Sequence, residues 1–399
     1  MTVSYWQDAS AEQTIECDYC VVGAGIVGLY LARLIAGQGH AVCVLEARHV
    51  AAGASGRNAG MVLTGTAYYY HEAIRRYGRE LARQIWQLSL HNRDIVRGLS
   101  QEFGTPWEET GSLLLALNDT EAEDLERAAE AMNEDGIPAR FSHKDPLKRG
   151  FAGAVFQPGD AGIHPVRFAQ ALAASCGAQI FEQCEVFAIQ PAAGNGHRIE
   201  VRSRRARVLC EAVALCTNAY APLLHPYFEG RVTPTRGQIL CTEPLNVRLL
   251  NHLCYADYGY EYFRQLADGR LLLGGWRHHF RDVEVGYEDR VTLEVQGGLQ
   301  AFMARYFPEA AGARITHRWS GTMGFSTDGI PLTGSLPDLP RVYFAVGFTG
   351  HGLGLGLATA EKLGAHMLFG HDLGWLDTGR FEGSGRVTTG ATGTTGTHS

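Results

Sequence analysis

The 399-residue sequence lacks features that mark several large classes of protein. No apolar run reaches the roughly 18–20 residues that a membrane-spanning helix needs. No cluster of lysine and arginine forms the basic stripe that is typical of nucleic-acid binding. The 35 basic and 42 acidic side chains are spread along the chain and give a formal net charge of −7. We therefore expect no membrane span and no nucleic-acid partner.

The first thirteen residues, MTVSYWQDASAEQ, show no basic segment followed by an apolar one, so they do not read as a secretory signal. We expect a cytoplasmic protein. The nine cysteines are odd in number and scattered, which favours reduced, buried thiols over a disulfide framework. Cys17 and Cys20 have the spacing of a metal or redox pair, but no second pair follows at the distance of a zinc site. Buried small side chains are the favoured interpretation, and we predict no metal.

Glycine is abundant, with 49 residues, or about one in eight against an average of roughly 7%. It gathers at residues 23–28, 53–65 and 347–356, where the backbone must turn tightly or approach something closely. A last Gly/Thr-rich stretch, 383–399, has no large apolar side chains and is predicted to be a disordered tail.

The first glycine group follows an apolar strand, YCVV, and opens an apolar-periodic helix that leads to a second strand, AVCVLE. In such a βαβ unit Gly23 permits the turn, Gly25 lets backbone amides approach a pyrophosphate, and Gly28 lets helix and strand pack closely. Glu46 closes the second strand, where a carboxylate can accept from both ribose hydroxyls and would repel a 2′-phosphate. The alternative is a surface glutamate after a structural turn. We predict a dinucleotide site.

Further segments follow in a fixed order: ASGRNAG at 54–60, DAGIHP at 160–165, LCTNAY at 215–220, RGQ at 236–238, WSGTMG at 319–324, DGIP at 328–331 and GFTGHG at 347–352. Together with the glycine fingerprint they resemble the FAD-dependent D-amino-acid-oxidase superfamily. The similarity is greatest to the branch of glycine, sarcosine and γ-glutamylputrescine oxidases, and it runs from Cys20 to about Leu368.

The resemblance implies an α/β fold in which a Rossmann-like FAD-binding domain is interleaved with a substrate domain of α+β type built on a mixed sheet. We expect the FAD-binding domain to comprise residues 1–75, 150–225 and 312–380. The substrate domain is expected to comprise residues 76–149 and 226–311.

The resemblance also implies FAD as cofactor, held without a covalent bond. Relatives attach flavin through a cysteine in the segment matching 321–325, where this chain has Thr322 and Met323, or through a histidine in the segment matching 54–60, which has none. The predicted FAD-binding residues are Gly23, Gly25, Ile26, Gly28, Glu46, Ala47, Ser55, Arg57, Asn58, Ala59, Gly60, Val186, Thr217, Gly321, Gly350, His351, Gly352 and Leu353. For Arg57 a surface salt bridge is the alternative, and for His351 a packed or capping role.

The implied reaction removes a hydride equivalent from a carbon bearing nitrogen, and water hydrolyses the resulting imine to a carbonyl compound and an amine. Such a site requires no Ser-His-Asp arrangement and no metal. Tyr260, Tyr262 and Arg264 share one strand face, and we predict that Arg264 and Tyr262, with His351, hold the substrate over the flavin. Alternatively, Arg264 pairs on the outer sheet face, the tyrosines pack, and Phe263 points into the core.

The electron acceptor stays open between oxygen and another molecule. Sarcosine oxidases carry an oxygen-activating lysine in the strand resembling 270–276, and Leu272 stands at that position here. Two other functions remain alternatives: an FAD-dependent 2-hydroxy acid or polyol dehydrogenase, and a non-catalytic flavoprotein subunit. The discriminating observation is which compound, if any, reduces the bound flavin.

Overall fold

The structure, a computed structural model, describes residues 13–193 and 198–381. The predicted disordered tail, 383–399, lies outside the described residues. Across the described ranges, no helix combines the length and the apolar character needed to cross a bilayer.

The described residues form twenty-one strands and eight α-helices. The strands are β1 Gln13–Glu16, β2 Tyr19–Val22, β3 Val42–Leu45, β4 Met61–Val62, β5 Trp107–Glu108, β6 Ser112–Ala116, β7 Arg140–Ser142, β8 Gly153–Gln157, β9 Ala161–Ile163, β10 Gln179–Phe181, β11 Val186–Pro191, β12 Ile199–Ser203, β13 Ala206–Cys210, β14 Ala212–Leu215, β15 Val232–Pro244, β16 Leu253–Ala256, β17 Glu261–Gln265, β18 Arg270–Gly274, β19 Ile315–Ser326, β20 Leu332–Ser335 and β21 Val342–Val346. The helices are α1 Ile26–Ala36, α2 Ala54–Arg57, α3 Tyr70–Tyr77, α4 Arg79–Phe103, α5 Asp119–Glu134, α6 Pro165–Ser175, α7 Leu293–Tyr306 and α8 Gly352–Phe369.

A six-stranded sheet with the order β10-β3-β2-β14-β21-β20 forms the first layer. All its neighbouring pairs are parallel except β20 with β21. Its strands are short apolar runs such as YCVV and VCVL because both faces are covered. Helices α1, α4 and α8 share a core with one face. The other face packs on a four-stranded sheet with the order β1-β13-β12-β11. The predicted βαβ unit is therefore present as β2, α1 and β3.

An eight-stranded mixed sheet has the order β19-β15-β18-β17-β16-β6-β8-β7, with β16 and β6 as its one parallel pair. Helix α7 packs on one face, where Phe263 of β17 lies with its ring centre 5.7 Å from that of Phe302. The opposite face is left for the cavity described below. A third, three-stranded sheet has the order β4-β9-β5, and both of its strand pairs are antiparallel.

The two large sheets depart from the expected division of the chain at two strands. Gly153–Gln157 and Ile315–Ser326 both belong to the eight-stranded sheet. The expected FAD-binding segments, 150–225 and 312–380, each begin before one of them. Both strands therefore pair outside the six-stranded sheet, because strand pairing follows contacts that are distant in sequence, and the division into two domains stays a prediction.

All nine cysteines are buried free thiols, in agreement with the favoured interpretation of the sequence. The Cys17 thiol donates to the Cys43 sulfur at 3.3 Å. Cys20 lies opposite Cys43 in the parallel pairing of β2 with β3.

Candidate active site

A large cavity of about 2140 Å³ runs from the carboxyl ends of the parallel strands to the free face of the eight-stranded sheet. The glycine turn after β2 and Glu46 after β3 line its first end. Tyr262 of β17 and Met323 of β19 line its other end. The carboxyl edge of a parallel sheet is where ligands bind in open α/β folds, and here the cavity continues beyond that edge into the second layer.

The glycine turn has the shape that the fingerprint predicts. Gly23 has φ +107°, and a Cβ there would lie 2.8 Å from the Cys216 carbonyl oxygen. A Cβ on Gly28 would lie 2.1 Å from the Gly23 carbonyl oxygen, so this glycine lets α1 pack on the turn. Gly25 lines the cavity, and a Cβ there would lie 2.9 Å from the Ser55 hydroxyl. Any larger residue at these positions would displace backbone or fill the space before α1.

The start of α1 offers its backbone amides to the cavity. The N-cap residue, Gly25, has no side chain to cap this end, and no acidic residue stands in the first turn. Ser55 of α2 accepts a hydrogen bond from the Ile26 amide at 3.1 Å, so its hydroxyl lies at the helix terminus. Unpaired amides and the positive end of the helix dipole favour phosphate groups.

Glu46 is held in the cavity wall by the backbone. Its Oε2 accepts from the Ala24 amide and its Oε1 from the Arg48 amide, each at 2.9 Å. Each carboxylate oxygen keeps a second lone pair for another donor. A fixed carboxylate beyond the glycine turn therefore fits the ribose hydroxyls of a dinucleotide.

The hydroxyl of Thr217 gives a further test of the cofactor. Thr217 lines the cavity just after β14, and its buried Oγ1 has no hydrogen-bond partner among the described residues. Buried polar atoms are usually satisfied, so this orphaned hydroxyl is suited to a polar group of a ligand. With the start of α1 and Glu46, it makes a donor and acceptor set that fits FAD.

The structure brings together most of the residues predicted to bind FAD. All of them line the cavity except Gly28 and Gly60. Gly28 serves helix packing, as above. Gly60 has φ +71°, and its amide bonds to the Asn58 side chain at 2.7 Å, so it shapes the loop behind the wall.

Arg57 combines both roles that the sequence left open. It lines the cavity, and its Nη1 donates to the Asp289 carboxylate at 2.7 Å and to the Ser320 carbonyl oxygen at 2.8 Å. The salt bridge of the alternative interpretation therefore exists, and the bond to Ser320 ties α2 to β19.

Arg264 does not lie in the cavity, and we correct its predicted role. Its side chain is 2% exposed, and Nη2 donates to Glu108 at 2.8 Å. Nη1 donates to three backbone carbonyl oxygens, of Gly60 at 2.7 Å, Ile163 at 3.2 Å and Ala59 at 3.3 Å. These bonds occupy the fork that was expected to hold a substrate carboxylate. Arg264 instead joins β17 to the short sheet behind the cavity.

Tyr262, by contrast, lies in the cavity wall where it was predicted. Gly274 and Gly237 on the neighbouring strands make room for its ring, because a Cβ on Gly274 would lie 2.4 Å from the ring and one on Gly237 would lie 3.6 Å from its hydroxyl. Tyr255 lies beside it, with ring centres 5.8 Å apart. Burial raises the pKa of Tyr262 to about 12, so its hydroxyl stays protonated and can donate a hydrogen bond.

Arg277 is the cation that sequence reasoning missed. It comes after β18 and directly follows Trp276, whose φ is +64°. The Arg277 guanidinium lies 5.1 Å from the centre of the Tyr260 ring and 4.9 Å from the centre of the Phe325 ring. Within the described part of the chain it forms no ion pair, and burial lowers its pKa. The turn after LLLGGW was a possible signal, but only the turn's geometry points Arg277 into the cavity.

His351 lies at the start of α8 and lines the same cavity. Its enclosed position, together with the positive charge of Arg277, lowers its pKa to about 4. The imidazole is therefore neutral near pH 7. The free start of α8, with no acidic residue in its first turn, adds a second helix terminus to the cavity wall.

A fold with a parallel sheet, a glycine turn at a helix start and a cavity shared with a second sheet defines a dinucleotide-binding protein. The chain matches the family of FAD dependent oxidoreductases, DAO, over residues 18–366. It belongs to this family, and FAD is its cofactor.

Among curated proteins, the chain is 28% identical over 362 residues to a γ-glutamylputrescine oxidoreductase of Escherichia coli, covering 86% of this chain and 81% of that protein. It is 29% identical to a probable oxidoreductase of Haemophilus influenzae, covering 90% of this chain and 84% of that protein. It is 27% identical to a glycine oxidase of Pseudomonas aeruginosa, covering 88% of this chain and 94% of that protein.

Solved structures share the fold. Glycine oxidase from Geobacillus kaustophilus superposes with a TM-score of 0.77 at 24% identity, covering 91% of this chain and 98% of that one. L-proline dehydrogenase from P. horikoshii superposes with a TM-score of 0.75 at 22% identity, covering 93% and 99%. The α/β architecture with an FAD-binding sheet and a mixed second sheet agrees with the fold class that the sequence predicts.

Proposed function

We propose that this FAD-dependent oxidoreductase oxidises a C–N bond of a primary or secondary amine or amino acid to an imine, which water hydrolyses to a carbonyl compound and an amine. The observation that carries the proposal is the continuous cavity from Glu46 and the α1 terminus to Tyr262 and Arg277. The names of the relatives, which include glycine oxidases and a γ-glutamylputrescine oxidoreductase, support this reaction. FAD, when bound, supplies the group that accepts the hydride equivalent.

The phosphates of the cofactor would meet the start of α1, and its ribose would meet Glu46. The flavin would then occupy the middle of the cavity, where Gly350–Gly352 and the start of α8 offer backbone amides toward negative charge on the reduced ring. The Thr322 and Met323 side chains in the wall are not nucleophiles of the kind that tether flavin. We therefore propose that FAD is bound without a covalent link.

The aromatic end of the cavity suits a neutral amine. The rings of Tyr255, Tyr260 and Tyr262 exclude water from the reacting carbon, and a protonated amine loses hydration there. Two polar groups remain to orient the amine: the protonated Tyr262 hydroxyl, which can donate, and the neutral imidazole of His351, which can accept at its unprotonated ring nitrogen.

We further propose that Arg277, rather than Arg264, binds an acid group on the substrate. Its guanidinium is enclosed between two aromatic rings and has no carboxylate partner among the described residues. A planar guanidinium can bind a carboxylate through two hydrogen bonds.

Leu272 packs in a small apolar cluster with Ile239 and Cys241, so this position supplies no cation to activate oxygen. We propose slow reoxidation by oxygen.

The test is reduction of the bound flavin without air. The yellow holoenzyme is mixed anaerobically with amines, amino acids and 2-hydroxy acids of matched carbon chains, and the flavin absorbance is followed. Bleaching by an amine or amino acid would support the proposal. Bleaching only by a hydroxy acid would replace it with a hydroxy-acid dehydrogenase, and no bleaching by any donor would indicate a non-catalytic flavoprotein.

Air is then admitted to the reduced enzyme. Colour that returns slowly, while a quinone or dye acceptor restores it quickly, would agree with the apolar surroundings of Leu272. Colour that returns within the mixing time would contradict slow oxygen use and would make the protein an oxidase.

A further inference from the structure

We propose that Asp257, Glu261 and His278 form a binding site for one divalent transition-metal ion, outside the flavin cavity. Asp257 lies in the turn between β16 and β17, Glu261 begins β17, and His278 lies in the 3-10 turn Arg277–Phe280. None of the three lines the large cavity. The proposal concerns a second site and does not depend on the amine chemistry proposed above.

The three side chains converge. The Nε2 of His278 lies 3.0 Å from Asp257 Oδ2, and its Nδ1 lies 3.8 Å from Glu261 Oε1. One ligand atom from each residue lies within 4.8 Å of the others. Two carboxylates and one imidazole are ligands that zinc and manganese accept, and water can complete the coordination. Small movements of these side chains would bring the atoms to bonding distance.

An unpaired buried oxygen points to a missing ligand. Glu261 is 1% exposed, and its Oε1 accepts from the Trp276 amide at 3.2 Å, but its Oε2 has no hydrogen-bond partner among the described residues. The Nδ1 of His278 is likewise buried and without a hydrogen bond. An unsatisfied buried polar atom costs about 1–3 kcal/mol. A cation bound by Glu261 would satisfy its unpaired oxygen.

The local charge also favours a cation. Asp257 and Glu261 place two carboxyl groups next to a single imidazole, that of His278. Glu121 adds a further negative charge nearby. The cations on the same turns, Arg277 and Arg281, face the ring of Tyr260. A divalent ion would balance the two carboxylates, and the 27% exposed side chain of Asp257 leaves a path for it to enter.

The site would tie two turns together. Asp257 lies on the turn before β17, and His278 lies on the turn that carries Arg277. A bound ion would therefore hold the segment that places Arg277 in the cavity. This gives the ion a structural role in shaping the substrate end of the cavity.

The experiment titrates metal into the holoenzyme. The protein is treated with EDTA and dialysed, and ZnCl2 and MnCl2 are titrated by calorimetry. We expect one equivalent of at least one of these ions to bind, and binding to be at least tenfold weaker in the Glu261→Gln and His278→Gln variants. The matched control is His91→Gln, which removes a surface histidine 2.6 Å from Glu361 and should retain the binding.

Folding is checked by flavin content and circular dichroism, and Asp257→Asn serves as a further ligand variant if Glu261→Gln does not fold. Wild-type protein that binds neither ion stoichiometrically would overturn the proposal. So would equal affinity in the wild type and in the folded ligand variants. In either case the three side chains would share a proton and hold the two turns without a metal. Because the readout is heat of binding, a negative result here leaves the test of amine oxidation unaffected.

Discussion

Replacing Arg277 with glutamine is the sharpest test of how the cavity selects its substrate. The guanidinium lies 5.1 Å and 4.9 Å from two ring centres and pairs with no carboxylate in the described part of the chain. A hydrogen bond to a charged group contributes about 1.5–3 kcal/mol. Since about 1.4 kcal/mol corresponds to a factor of ten, the loss predicts a fall of about 10- to 150-fold in kcat/KM for an amine that carries a carboxylate.

The assay is steady-state kinetics with two matched donors, an amino acid and the amine with the same carbon skeleton but no carboxylate. For the second donor we expect a change of less than about threefold, because no charged bond is lost. Arg277→Lys keeps the charge without the planar fork and should fall between the two.

The matched control is Arg305→Gln, which removes a guanidinium 5.2 Å from the Tyr306 ring on α7 and away from the cavity. Its kinetics should be unchanged. The reasoning would be refuted if Arg277→Gln slowed both donors equally, or slowed neither while retaining its flavin.

Three further predictions concern the cofactor and the fold. Gly25→Val should weaken FAD binding at least tenfold, measured by flavin titration of the apoprotein, since the valine side chain would meet the Ser55 hydroxyl. The control Gly98→Ala, which has open space around its Cβ in α4, should bind FAD normally, and weaker binding by this control would contradict the argument. Arg264→Met should lower the free energy of unfolding by about 3 kcal/mol in urea, because three carbonyl oxygens and the partly exposed Glu108 lose their buried donor. KM should stay unchanged, and a raised KM with normal stability would return Arg264 to the site. The pKa of His351 is lowered to about 4 in the folded state, so the unfolded chain binds the proton first and stability should fall as pH drops from about 6.5 toward 4. In His351→Gln this part of the pH dependence should disappear from urea unfolding curves, and an unchanged profile would show that His351 does not cause it.

The end of the cavity at the glycine turn could be predicted from the sequence because its determinants are local. A tight turn between a strand and a helix needs glycine at set positions. The backbone at residue 23 has φ +107°, which favours glycine whatever the rest of the chain does. The position of Glu46 beside the glycine turn follows from the length of one βαβ unit, because this residue comes directly after the second strand. Cys17 and Cys20 were recognised as buried thiols for a similar reason, since they flank the start of an apolar strand.

The surroundings of Tyr262 and Arg264, at the other end of the cavity, depended on contacts between segments that are distant in sequence. Strand alternation places Tyr262 and Arg264 on one face, but it does not say how far along the strand the cavity extends. Gly237 and Gly274 make space beside Tyr262, whereas Glu108 and the carbonyl oxygens of 59–60 and 163 surround Arg264.

By itself, then, the sequence determined the glycine turn before α1, the carboxylate of Glu46 after β3 and the family, because these follow from the geometry of short contiguous segments. The tertiary structure alone decided that Arg277 enters the cavity, that Arg264 leaves it, and that Asp257, Glu261 and His278 meet. The physical reason is that a side chain's partners are set by the packing of strands and turns far apart in the chain, and periodicity within one strand carries no information about them.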